Sequence, residues 1–170
     1  MQEYNSTYKE IQKIPLLRGI GLLLLPLTVL LTVGLVKQIV YGIPFGKQHA
    51  PDWLLALIWV SVGLVIPAFF FSSRMAVEIQ KEKMLIQIRY IPLKSRHIAL
   101  SSIQKVEIWE FKPIRDYGGW GIRLGNSGWA YTASGNQGVM LTLEDGERLL
   151  IGSQNPELLV RELMKLKEQA

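Results

Sequence analysis

The residues to weigh first for chemistry are His49 and His97, the only histidines in a chain that has no cysteine. Without cysteine there is no disulfide, no thiolate nucleophile and no Cys-ligated zinc. A long apolar run separates the two histidines. On the topology derived below they fall on opposite sides of a bilayer and cannot share a metal. His97 has Ser95, Ser101 and Asp116 as candidate partners for a hydrolytic set, but no G-x-S-x-G elbow accompanies them. The glycines Gly118, Gly119, Gly121 and Gly125 would suit a phosphate-cradling loop if a helix followed. A strand pattern follows instead, so turn geometry accounts for them. The carboxylates Glu107, Glu110, Asp116, Glu144, Asp145 and Glu147 fall on strand exteriors and turns, without calcium-loop spacing. The expectation is therefore a non-enzymatic protein with no metal and no cofactor.

One set stands apart. Lys94, Arg96, Lys112, Arg115 and Arg123 are interleaved with Trp109, Tyr117 and Trp120. A ring beside a cation suits an anionic lipid headgroup or an acidic peptide. The expected binding surface is Lys112, Arg115, Tyr117, Trp120 and Arg123, carried by a loop at 112–119 and the strand after it.

The elements that must position this set begin with two apolar runs. Residues 53–71, WLLALIWVSVGLVIPAFFF, contain no charge over nineteen positions. A helix of that length covers about 30 Å, the thickness of a bilayer's hydrocarbon core. Residues 20–36, IGLLLLPLTVLLTVGLV, form a second such run with Pro26 inside it. A secretory signal peptide is the competing reading there, because Lys9, Lys13 and Arg18 precede it. No small-residue cleavage site follows, so an uncleaved anchor is preferred. The connection at 37–52 is short enough to demand an antiparallel hairpin, with Tyr41 and Trp53 at its interface. Neither run has an ionisable residue at its centre, which argues against transport by the hairpin alone.

Charge sets the expected orientation. Lys9, Lys13 and Arg18 flank one end, and Arg74, Lys81, Lys83 and Arg89 flank the other. The connection has only Lys37 and Lys47, with Asp52. The positive-inside rule then places both termini in the cytoplasm of a multi-pass plasma-membrane protein. The net charge of +5 is spread without a long basic block, which excludes nucleic acid as the expected partner. The expected divisions are a cytoplasmic lead-in at 1–18, a two-helix transmembrane hairpin at 19–73 and a cytoplasmic domain at 74–170. Within the lead-in, 7–17 has the spacing of a short interfacial helix that Pro15 would end or bend, but a loosely ordered segment is the preferred reading.

From Arg74 the hydrophobic period changes to two. Met75, Val77 and Ile79 alternate with Ala76, Glu78 and Gln80, and Ile86, Ile88 and Tyr90 alternate with Gln87 and Arg89 across a reversal at 81–83. Further short strands follow at 104–111, 120–124, 129–132 and 139–143, then from Leu149. Turn signals at 125–128, 134–136 and Asp145-Gly146 separate them. A helix closes the chain, with Asn155 as cap, Pro156 at its first position and an apolar stripe of Leu159, Val160, Leu163 and Leu166.

Seven short strands and a final amphipathic helix describe a bent sheet whose open end a helix plugs. This resembles the pleckstrin-homology fold. Residues 119–157 are similar to bacterial membrane-anchored pleckstrin-homology-like proteins. The motifs that carry the resemblance are Gly121-Ile122-Arg123, Trp129-Ala130-Tyr131, Gly135-Asn136-Gln137-Gly138-Val139 and Ile151-Gly152-Ser153-Gln154-Asn155-Pro156-Glu157. The resemblance implies a two-helix membrane hairpin bearing a mainly-β, seven-stranded barrel capped by a C-terminal helix. Fold resemblance alone does not transfer function; with the absence of catalytic groups, the expectation is an interaction module that binds a partner protein or its own copies. The alternative is a module that binds anionic lipid headgroups of the bilayer. The first hairpin lacks the basic pattern with which eukaryotic domains of this fold hold phosphoinositides.

Overall fold

The computed structural model describes residues 6–46, 50–92 and 94–168, and gives only the backbone for Ser6, Thr7 and Lys94. Lys47 and His49 lie outside the described residues. The chain forms two compact units, Met1–Ile14 with Arg74–Ala170, and Pro15–Ser73.

The helical unit follows from its prolines. Helix α1 (Pro15–Leu23) and helix α2 (Leu25–Ile39) make one apolar rod broken at Leu24. Pro26 has no N–H for the carbonyl four residues back, and its ring crowds that carbonyl. The return rod is α3 (Asp52–Ile58), a π-helical stretch Trp59–Val65 and α4 (Ile66–Ser72). The wider turn stops just before Pro67, where an ordinary helical register would also lack a donor. Each rod is long and apolar enough to cross a membrane, and only 11 % of each apolar window is buried. The rods pack through small residues and a few polar bonds. A side chain at Gly21 would meet the ring of Phe71 at 3.3 Å. Trp59 Nε1 donates to Thr32 Oγ1 at 2.8 Å. At the connecting end, Gln38 Nε2 donates to the Ala50 carbonyl and to Asp52 Oδ1, each at 2.7 Å.

The second unit is mainly β. Strand β1 (Ser6–Lys13) heads a four-stranded antiparallel sheet in the order β1-β2-β3-β4, with β2 (Arg74–Gln80), β3 (Leu85–Ile91) and β4 (Lys94–Ala99). The expected lead-in and interfacial helix are thus corrected: this segment is a strand of the domain. Its register with β2 runs from Tyr8 opposite Ile79 to Lys13 opposite Arg74. The helical unit is therefore inserted between two hydrogen-bonded strands.

A 3-10 turn, Leu100–Ser102, leads to the second sheet. Its order is β5-β8-β9-β7-β6, with β5 (Ile103–Glu110), β6 (Gly121–Gly125), β7 (Gly128–Thr132), β8 (Gln137–Leu143) and β9 (Arg148–Gly152). The β7–β9 pair is parallel and the others are antiparallel. The described residues thus hold nine strands in two open sheets, where seven in one barrel were expected. The difference arises from β1 and from β4, whose sequence KSRHIA carries no apolar alternation.

Helix α6 (Pro156–Lys167) closes the chain with Leu159, Leu163 and Leu166 buried. Asn155 occupies the cap position without a side-chain cap bond; its own amide donates to Ser153 Oγ at 3.0 Å. The core between the sheets holds Met75, Val77, Ile79, Ile86 and Ile88, with Leu141, Leu149 and Ile151 from the second sheet.

Residues 74–170 alone leave β2 without its neighbour, so this fragment should fail to melt cooperatively. Joining Ile14 to Arg74 through a short Gly-Asn turn should restore a cooperative thermal transition, read by circular dichroism. In that joined protein Leu163→Ala should cost roughly 2–5 kcal/mol, the range for a buried leucine.

Candidate functional site

The stretch expected as a loop at 112–119 contains a short helix, α5 (Pro113–Tyr117). Pro113 sits at its start, and Gly118, with φ of 69°, ends it in the left-handed region that glycine tolerates. Asp116 organises the turn. Its Oδ2 accepts the Lys112 amide at 2.8 Å and its Oδ1 accepts Arg115 Nε at 2.8 Å. The amide first, and the guanidinium second, hold the Asp116 carboxyl below the usual carboxylate range.

This geometry divides the five predicted residues. Tyr117 is buried, edge-on to Phe111 at 5.9 Å between centroids, in a cluster with Ala130, Met140 and Leu150. It is core on the outer face of the second sheet, not an exposed ring. Burial pushes its phenol pKa up. Gly125 explains the close seat of α5, since a side chain there would come 2.4 Å from the Asp116 carbonyl. Trp120 is half-buried, and its Nε1 donates to the Gly135 carbonyl at 2.8 Å. Arg115 is exposed but already paired with Asp116. Lys112 is exposed, and so is Arg123 on the edge strand β6. Among the described residues neither Lys112 nor Arg123 forms an ion pair with a carboxylate.

Two apolar residues that the sequence reading passed over share this region. Ile114 is 75 % exposed on α5 and Leu124 is 67 % exposed on β6. The surface that remains is Lys112, Ile114, Arg115, Arg123 and Leu124.

The other candidates have structural partners. Arg96 donates to Glu147 Oε2 at 2.6 Å and lies 6.0 Å from the Tyr131 ring, so it ties the first sheet to the β8–β9 turn. The Arg148 guanidinium covers Trp109 at 5.3 Å. His97 and Ser95 are exposed on β4, while Asp116 is occupied on α5. Among the described residues no group of three His, Cys, Asp or Glu could hold a metal ion.

Glu10, absent from the predicted set, is the most heavily bonded carboxylate among the described residues. It accepts from the Tyr8 hydroxyl, from Gln12 Nε2 at 2.7 Å, from Ser153 Oγ at 2.7 Å and from the Gln154 amide at 2.7 Å. Gln12 Nε2 also donates to the Gly152 carbonyl at 2.9 Å. This junction fastens β1 to the turn before α6. Burial, and next the bond to Glu10, keep Tyr8 protonated well above the usual phenol range. The I-G-S-x-x-P-E motif is therefore the receiver of the N-terminal strand.

A family model spans this whole arrangement, from residue 3 to residue 168. The chain belongs to DUF6141, a family of unknown function. The matched span takes in β1, both apolar rods and both sheets. No curated protein matches the chain.

Glu10→Ala should destabilise the β unit by roughly 1.5–3 kcal/mol, the range for charge-assisted bonds. Ser153→Ala should be less than additive with it in a double-mutant cycle read by denaturant melts. At α5, Gly125→Ala should raise amide exchange at 112–119 while leaving β8 and β9 protected. The Asp116 pKa is lowered in the fold, so its contribution is complete above the unfolded carboxylate pKa. It fades as pH falls through the folded value. Protection of the amides at 112–119, corrected for the intrinsic pH dependence of exchange, should fall at acid pH in the wild type and stay constant with pH in Asp116→Asn.

Proposed function

We propose that the chain is a multi-pass plasma-membrane protein whose two apolar rods span the bilayer and whose β unit is a cytoplasmic, non-enzymatic interaction module. The observation that carries the reading is the insertion of the rods between β1 and β2, at the register pair Lys13 and Arg74. Strands that share a ladder must lie on one side of a bilayer, and two spans return the chain to that side. The Lys and Arg bias of both flanks makes that side the cytoplasm. The apolar surface left open on the rods supports insertion, since water is a poor solvent for it.

The pleckstrin-homology-like reading is part of this proposal. With the β6–β7 hairpin set aside, seven strands precede the helix, four in the first sheet and three, β5-β8-β9, in the second. The buried stripe of α6 plays the part of the plug. The favoured partner is a protein or a second copy of the chain. The surface offered is Lys112, Ile114, Arg115, Arg123 and Leu124, with Trp120 beside it, where exposed apolar side chains stand among cations. Anionic lipid is the second reading.

Cysteines at Gln48 and Asn136, placed one at a time, test the topology. An impermeant thiol reagent on intact cells should label only position 48, and labelling only at 136 would reverse the orientation. For recognition, the donor- and acceptor-labelled full chain in lipid nanodiscs should show energy transfer that Lys112→Glu with Arg115→Glu reduces. Transfer unchanged by the double variant would remove this surface from self-association.

A further inference from the structure

The first sheet turns one face to the core and the other outward. Tyr8, Gln12, Met75, Val77, Ile79, Ile86, Ile88 and Tyr90 fill the inner face. The outer face follows from the register. One row is Lys13, Arg74 and Ile91; the next is Ile11, Ala76 and Arg89; the third is Lys9, Glu78 and Gln87. Four of these nine positions are cations and one is an acid. Glu78 takes Arg89 at 2.9 Å and Lys9 at 3.8 Å. Lys13 and Arg74 are exposed and form no ion pair among the described residues. Ile11, between Lys9 and Lys13, is 53 % exposed. Strand pairing thus merges two cation sets, far apart in sequence, into one surface that also carries isoleucine.

The position of this surface along the chain says what covers it. Lys13 stands two residues before the first residue of α1, and Arg74 two residues after the last residue of α4. On the anchored reading, which this inference rests on, both side chains are held near the bilayer by their own backbone. That places them within about one Debye length, ~8 Å at physiological salt, of the phosphates. The tether also holds the ligand at high local concentration, so modest affinity suffices. Arg74 suits a phosphate through paired N–H donors, Lys13 adds a point charge, and Ile11 suits the glycerol level.

We infer that the outer face of the first sheet, led by Lys13 and Arg74, is a docking surface for anionic phospholipid headgroups. The α5 surface serves less well, because Arg115 is already neutralised by Asp116. The lipid contact orients the β unit on the leaflet and leaves the α5 surface free for a protein.

The test uses the full chain in nanodiscs of phosphatidylcholine, with or without phosphatidylglycerol. A nitroxide is placed at Ser95→Cys, exposed beside Arg89 on this face, and in a second protein at Asn126→Cys on the β6–β7 turn. Collisions of the label at 95 with a water-soluble relaxant should fall by about half in anionic discs at low salt and recover at high salt. The label at 126 should not change. Lys13→Gln with Arg74→Gln should abolish the response at 95 while the circular dichroism spectrum is kept. Equal collisions in both lipids, or a response that survives the double variant, overturn the inference. Protection that needs two chains per disc and ignores the lipid assigns the face to a second copy and also overturns it. Alkaline carbonate extraction of the same protein separates the two claims. A chain that stays in the bilayer with an unresponsive label refutes the lipid face alone. A chain that is extracted refutes the anchor and the face with it.

Discussion

Met75, Val77 and Ile79 are fully buried because β1 lies beside β2, and β1 comes from the far side of two apolar helices. Bringing those strands together through a flexible segment of ~60 residues would cost roughly 3–4 kcal/mol from length alone. The antiparallel rods remove much of that cost. Their packing already returns Ser72 to the end where Pro15 starts, so the pairing of Lys13 with Arg74 needs little further ordering. Without β1, β2 would present an unpaired edge, a liability in any sheet.

A second device keeps β1 in place. Its inward residues are Tyr8, Glu10 and Gln12, which are poor material for an apolar core. They are buried or half-buried with Gly152, Ser153 and Gln154 as partners of Gln12 Nε2 and Glu10, while Gln12 Oε1 is buried without a hydrogen-bond partner. The same turn leads directly into α6, whose leucines cover the core between the sheets. The first and last segments of the domain are thus fastened at one junction, and the helical insertion leaves from the strand that the junction holds. This links rods and domain energetically: losing the Glu10 bonds weakens β1, and a weaker β1 frees one of the two chain connections to the rods.

The legible parts of the sequence were those with a strong period or a strong turn. The second apolar rod, the β2–β3 alternation, the Asp145-Gly146 reversal and the stripe of α6 stand where the pattern put them, while the first rod starts at Pro15, ahead of the run at 20–36. Strand β1 was hidden because its pattern is inverted. It buries polar residues and exposes Ile11, and Tyr8, Ile11 and Ile14 mimic a helical spacing. No local rule detects a strand whose inner face is satisfied by a turn some 140 residues away. The binding set was partly legible. Lys112 and Arg115 are exposed, as cations near a loop tend to be, but Tyr117 went to a second core on the outer face of the sheet. A polar-tipped ring next to two glycines reads equally well as exposed or as packed, and only the close approach across Gly125 decides it.

The pairing of β1 with β2 around the two apolar rods is the central claim, and a register-specific crosslink tests it most directly. The chain has no cysteine of its own, so Ile11→Cys with Ala76→Cys adds the only two thiols. These positions are opposite in the ladder, a separation that a disulfide can bridge. In carbonate-washed membranes treated with a mild oxidant, this pair should form an intramolecular disulfide in high yield. Ile11→Cys with Glu78→Cys, two positions out of register, should form far less. Absence of the 11–76 crosslink, or its formation only between separate chains, would contradict the inserted architecture.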